Sequence, residues 1–136
     1  MIRRGLQIVA GIAVVSGLAS AAGPQSPGTL RDVMTKIVEP VSNAVFYISR
    51  DTPQDEEQWK ILQGKALMLS EVAVSLMGPA RAKDKKQWMA DAQLLLDAGN
   101  AAYAAANKKD AAALENLNDQ LYTACSTCHE HYLPKR

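Results

Sequence analysis

Between residues 29 and 134 apolar side chains recur at steps of three and four, and short stretches rich in Pro, Gly, Asn, Asp or Lys divide the pattern into four runs. Such spacing predicts four amphipathic helices. In the first run Leu30, Met34, Ile37, Val38, Val41, Val45 and Ile48 share a face. Thr29 is placed to cap it with Asp32 against the free amides of the first turn, and Pro40 should kink or divide it. The second opens on Thr52-Pro53-Gln54-Asp55-Glu56, which reads as an N-cap at Thr52 with proline at the first helical position. It continues through Trp59, Leu62, Ala66, Leu69, Ala73, Leu76 and Met77, and Gly78-Pro79 ends it. The third is expected from about Asp84 to Asn107, with Trp88, Ala92, Leu95, Leu96, Gly99, Ala102 and Tyr103 inward. Its many small residues around Gly99 suit a close neighbour. In the fourth, Asp110 caps, Leu114, Leu117, Leu121, Tyr122, Cys125 and Cys128 carry the stripe, and Pro134 closes.

Four helices with short connections predict an all-α, antiparallel up-down four-helix bundle. Composition agrees: the chain is 48% hydrophobic but only 5% aromatic, and Ala and Leu dominate, which suits helices better than sheet. In that topology the end of the fourth helix lies level with the start of the first, the end of the second and the start of the third. Side chains near it should come from about 30–38, 72–77, the basic loop 80–86 and 85–95.

The N-terminus does not share the pattern. Met1-Ile2-Arg3-Arg4, an apolar run from Leu6 to Leu18 and Ala19-Ser20-Ala21 read as a secretory signal peptide over 1–21. A Pro- and Gly-rich linker follows over 22–28, and the bundle domain spans 29–136. Removing 1–21 takes away Arg3 and Arg4 and no acid, turning 15 Lys+Arg against 14 Asp+Glu into 13 against 14. A balance so near neutral points away from nucleic acid and, after signal cleavage, from a membrane as partner.

The chemistry sits at the end of the fourth run, in Cys125-Ser126-Thr127-Cys128-His129. Two thiols three positions apart with an imidazole directly after form the attachment pattern of a c-type haem. On a helix both sulfurs then lie on one face, within reach of two vinyl-derived carbons on one porphyrin edge, and His129 projects toward the iron. A thioredoxin-type dithiol is the first alternative, but that motif opens a helix after a strand, and no βαβ pattern precedes this one. Zinc is the second, although two cysteines and two histidines within seven residues are a poor tetrahedral set. Export and the motif support each other, since c-type haem is attached outside the cytoplasm, in bacteria in the periplasm. No paired carboxylates, nucleophile with a base, or phosphate-cradling loop points to an enzyme.

An exported helical bundle with this motif near its C-terminus, and Tyr132 a turn later, resembles cytochrome c prime and its low-spin, methionine-ligated relatives. The resemblance implies a periplasmic protein with one covalent haem c, often a homodimer, working with an unidentified redox partner in electron transfer or binding small gases such as nitric oxide and carbon monoxide. His129 would be the proximal iron ligand and Met34, from the first helix, the sixth; a thioether favours ferrous iron and raises the potential. Met77 and Met89 fall at the same end. Arg31 is placed to pair with a propionate, Trp88 and Tyr132 to pack on the porphyrin, and His131 to face solvent. One position departs from the family: a basic residue is common four places after the proximal histidine, and here Leu133 stands there.

Overall fold

The computed structural model describes residues 27–134. The expected signal peptide lies outside them, as does the expected linker apart from Pro27 and Gly28. Among the described residues every regular element is helical: α1 (Leu30–Val33), a π-helical turn (Met34–Val38), α2 (Glu39–Phe46), α3 (Glu56–Met77), α4 (Gln87–Asn107), α5 (Ala111–Glu115) and α6 (Asn118–Tyr132). None of these helices is long and apolar enough to cross a membrane.

α1 begins as its residues dictate. The Asp32 amide donates to Thr29 Oγ1 (3.1 Å) and the Thr29 amide to the Asp32 carboxylate (3.0 Å), a reciprocal cap. The expected kink at Pro40 takes the form of the π turn: the Glu39 amide reaches back five residues to the Met34 carbonyl. Pro40 has no amide proton to offer the carbonyl four residues earlier, and widening the preceding turn relieves the crowding of its ring. Through this turn α1 leads into α2.

The expected cap of the second run is displaced. Thr52 Oγ1 donates backward to the Ile48 carbonyl (2.7 Å), so its hydroxyl finishes the preceding helical segment. Asp55 caps α3, accepting from the Gln58 amide (2.8 Å), with Glu56 and Glu57 next to it in the first turn. α4 likewise starts at Gln87 and not at Asp84; Asp84 serves from the loop, accepting from the amides of Lys86 (2.9 Å) and Trp88 (3.1 Å). At the far end of α4, Lys109 adopts a left-handed φ of 55°. The amides of Lys109 and Asp110 then bond back to Ala106 and Ala105, each at 3.0 Å. Asp110 caps α5 as expected, accepting from Ala113 (2.9 Å). The fourth run is two helices, because the Leu117 amide bonds three residues back to Leu114 and tightens the chain between α5 and α6.

The four longer helices pack against one another, α3 most extensively on α4, α4 on α6, and α2 on α3 and α6, while short α5 lies against α4 and α2. Ties between α3 and α4 join Ser70 with Gly99 and Trp88 with the Leu76 carbonyl, and Lys109, in the turn just after α4, pairs with Glu56 at the start of α3. Ile48, Leu69, Leu114 and Leu121 are fully buried, and truncating one such side chain to Ala costs about 2–5 kcal/mol. Val33 joins this core. Tyr122, expected on the inner stripe, is 66% exposed.

Candidate functional site

α6 carries Cys125, Cys128 and His129 on adjacent turns, and all three line one internal cavity at this end of the molecule. Three further segments complete it, with Met34 and Val38 from the π turn, Leu76 from α3, and Trp88, Asp91, Ala92 and Leu95 from α4; α6 itself adds Ala124. The cavity is small, about 40 Å³, and its lining is almost wholly apolar. Its heteroatom-bearing side chains are few: one thioether, two thiols, one imidazole, one carboxylate and the Trp88 indole. Cys125 and His129 also line a wider open cleft with Tyr122, Ser126, Glu130, His131, Leu133 and Pro134. The motif is therefore the wall between an apolar interior and an open mouth. A polar groove elsewhere, between α2 and α3 and lined by Tyr47, Arg50, Asp51 and Lys65 among others, contains no Cys, His or Met.

Both thiols are free and half-buried. Burial pushes the Cys125 thiol up. Cys128 is pushed up to about 11, by burial first, then by the negative charge of Asp91 and by Cys125. Disulfide oxidoreductases need the opposite shift. Among the described residues no three His, Cys, Asp or Glu side chains converge as a metal site.

Met34 is half-buried and shares the cavity with His129. Met77 and Met89 pack against the core but do not line the cavity. Trp88 is 2% exposed, and its Nε1 donates to the Leu76 carbonyl at 2.6 Å. Its ring meets Tyr132 edge to face at 4.9 Å and 73°. The Tyr132 hydroxyl in turn donates to Asp84. That bond, with those from the Lys86 and Trp88 amides, lowers the Asp84 carboxyl from its ordinary value. Arg31 is exposed, its carbonyl accepting from Thr35 Oγ1 (2.9 Å), and it does not line the cavity.

Sequence reasoning missed Asp91, a carboxylate 2% exposed in the cavity wall. Its oxygens accept from Gln87 Nε2 (2.9 Å) and pair with His131 Nδ1 (2.7 Å). A signal was present: Asp91 falls on the apolar face between Trp88, Ala92 and Leu95, where a charge needs a partner. His131 is exposed as expected, its side chain at 41%, yet its ring is engaged inward through this bond.

No family model, curated protein or solved structure matches the chain. The likeness to cytochrome c prime therefore rests on the motif and the helical pattern.

Proposed function

We propose that this chain is an exported c-type haem protein of the cytochrome c prime kind that transfers electrons. In this reading Cys125 and Cys128 hold one haem c through thioethers, His129 is the proximal iron ligand and Met34 the sixth. The observation that carries it is the shared cavity: the thioether of Met34, the ring of His129 and both motif thiols line one apolar space. The residues suit the group, since the soft and imidazole donors stand among aliphatic and aromatic walls and the cleft beside Cys125 and His129 leaves room for a polar edge.

Bound haem would supply a one-electron ferric/ferrous couple. The chain's own part is to hold and insulate it. Val38, Leu76, Trp88 and Leu95 exclude water, Met34 offers a soft donor, and the Trp88 indole bonded to the Leu76 carbonyl fixes the wall between α3 and α4. The contacts of Glu56 with Lys109, Ser70 with Gly99 and Leu76 with Trp88 rise along α3 as they fall along α4, which supports an antiparallel up-down bundle. Residues 1–21 as signal peptide, a periplasmic location, a redox partner and a homodimer belong to the same proposal, as does the absence of enzymatic turnover. A second reading, five-coordinate iron binding small gases, draws on Val38 and Leu76, apolar neighbours of Met34 in the cavity.

The test is to purify the full chain from cells able to mature c-type cytochromes, weigh it and record its visible spectrum. A mass raised by one haem, with a low-spin spectrum and a sulfur-to-iron charge-transfer band lost in Met34→Ala, is expected. High-spin iron that responds readily to carbon monoxide favours the second reading. A mass equal to the bare polypeptide defeats both.

A further inference from the structure

The last turn of α6 is the part of a helix that frays most readily, because it lacks downstream amides for its carbonyls. Here that turn follows directly on His129 and ends at Tyr132, with the Leu133 amide bonding back to the His129 carbonyl (2.9 Å). It is fastened to α4 at two places. Tyr132 meets Asp84 just before α4 and Trp88 in its first turn. One turn further along α4, His131 Nδ1 reaches Asp91 Oδ2 at 2.7 Å, and Gln87 holds the other carboxylate oxygen. A carboxylate this deep in an apolar wall is costly unless its lone pairs are satisfied. An aliphatic residue would fill the wall equally well but would offer His131 nothing.

We infer that Asp91 is a positioning residue: through His131 it pins the end of α6 to α4 and so holds His129 at the cavity. Three features favour this role over simple packing. The carboxylate uses both oxygens, its partner lies forty residues on in another helix, and that partner is two positions from the residue on which the site depends. The spectroscopic consequence rests on the haem reading above; the pinning itself does not.

The test compares wild type, Asp91→Ala and Asp91→Asn by amide hydrogen exchange, each purified as the full chain from cells competent to attach haem. In Asp91→Ala, amides of residues 129–133 should lose about tenfold or more of their protection, the effect on local opening of losing a hydrogen bond to a charged group. Amides in α3 around Leu69 should keep theirs. Asp91→Asn retains an acceptor for His131 and should restore protection, and with it a homogeneous low-spin spectrum that Asp91→Ala lacks. Unchanged protection in Asp91→Ala overturns the inference, as does an Asp91→Asn protein as unprotected as Asp91→Ala. Should Asp91→Ala not fold, His131→Ala carries the comparison: the same local loss supports the role, and full protection overturns it. A wild type without haem refutes the proposed function and leaves the exchange result to judge this inference by itself.

Discussion

A β-carbon on Gly99 of α4 would lie 2.8 Å from both the amide nitrogen and the hydroxyl oxygen of Ser70 in α3. The two helices meet so closely there that only glycine fits, against its poor helix propensity. Gly99→Ala should destabilise the protein by about 1–3 kcal/mol through overpacking, outweighing the gain of about 1 kcal/mol in propensity. Gly64 is the control, since a β-carbon there meets nothing within 4 Å. Gly64→Ala should stabilise by about 0.5–1 kcal/mol. Urea unfolding of both variants checks the pair, and shifts of the same sign would contradict the close approach at residue 99.

Lys109 holds a left-handed backbone at the end of α4, a conformation that costs an L-residue about 1–2 kcal/mol. Its exposed pairing with Glu56 returns only about 0–1 kcal/mol. Lys109→Gly should therefore raise stability by about 0.5–1 kcal/mol. Lys109→Ala keeps the strained backbone and loses the pair, so it should fall slightly below wild type. Thermal midpoints ordered Gly, Lys, Ala would bear this out.

The bond between Tyr132 and Asp84 should leave its mark on both sides of the pH profile. The Asp84 carboxyl is lowered, chiefly by the Tyr132 hydroxyl. Its contribution is present above the ordinary carboxylate range near 4 and is lost as pH falls toward the lowered value. Tyr132 is pushed up to about 12, by desolvation first and then by Asp84. Its contribution is complete below the ordinary phenol value of about 10 and is lost as pH rises through about 12. Urea midpoints across pH should decline at both extremes, and Tyr132→Phe should flatten both declines.

With Cys128 pushed up to about 11, few of its thiols are ionised near neutrality. In protein made without haem attachment, alkylation of Cys128 at pH 8 should run about a hundredfold slower than in the unfolded chain, in proportion to the thiolate lost. Timed iodoacetamide labelling read by mass spectrometry measures this. A Cys128 that labels faster folded than unfolded would favour the dithiol alternative.

Much of the fold was legible because it depends on periodicity and on caps next to the residues they serve. Thr29 with Asp32 and Asp110 with Ala113 are of that kind, and so is the small-residue stretch around Gly99. What escaped depends on competition or on distance. Thr52 and Asp55 both suit an N-cap, and only the folded chain shows the Thr52 hydroxyl bonded back to Ile48. The break before α6 carries no Pro or Gly to announce it. At the site, the cavity brings Met34 together with Cys125, Cys128 and His129, residues singled out in advance by chemistry and level in the bundle. Asp91 escaped because an acid on a helix is ordinarily read as solvated, and its partner His131 lies forty positions away.

The widened turn at Met34–Val38 amounts to one surplus residue in an otherwise regular spiral. Each residue advances an α-helix by about 100°, so excising one here and restoring ordinary winding would swing everything upstream around the axis relative to α2. Met34 would then face away from His129 with its own side chain unaltered. The angular aim of that sulfur is set by how many residues the coil holds before Pro40.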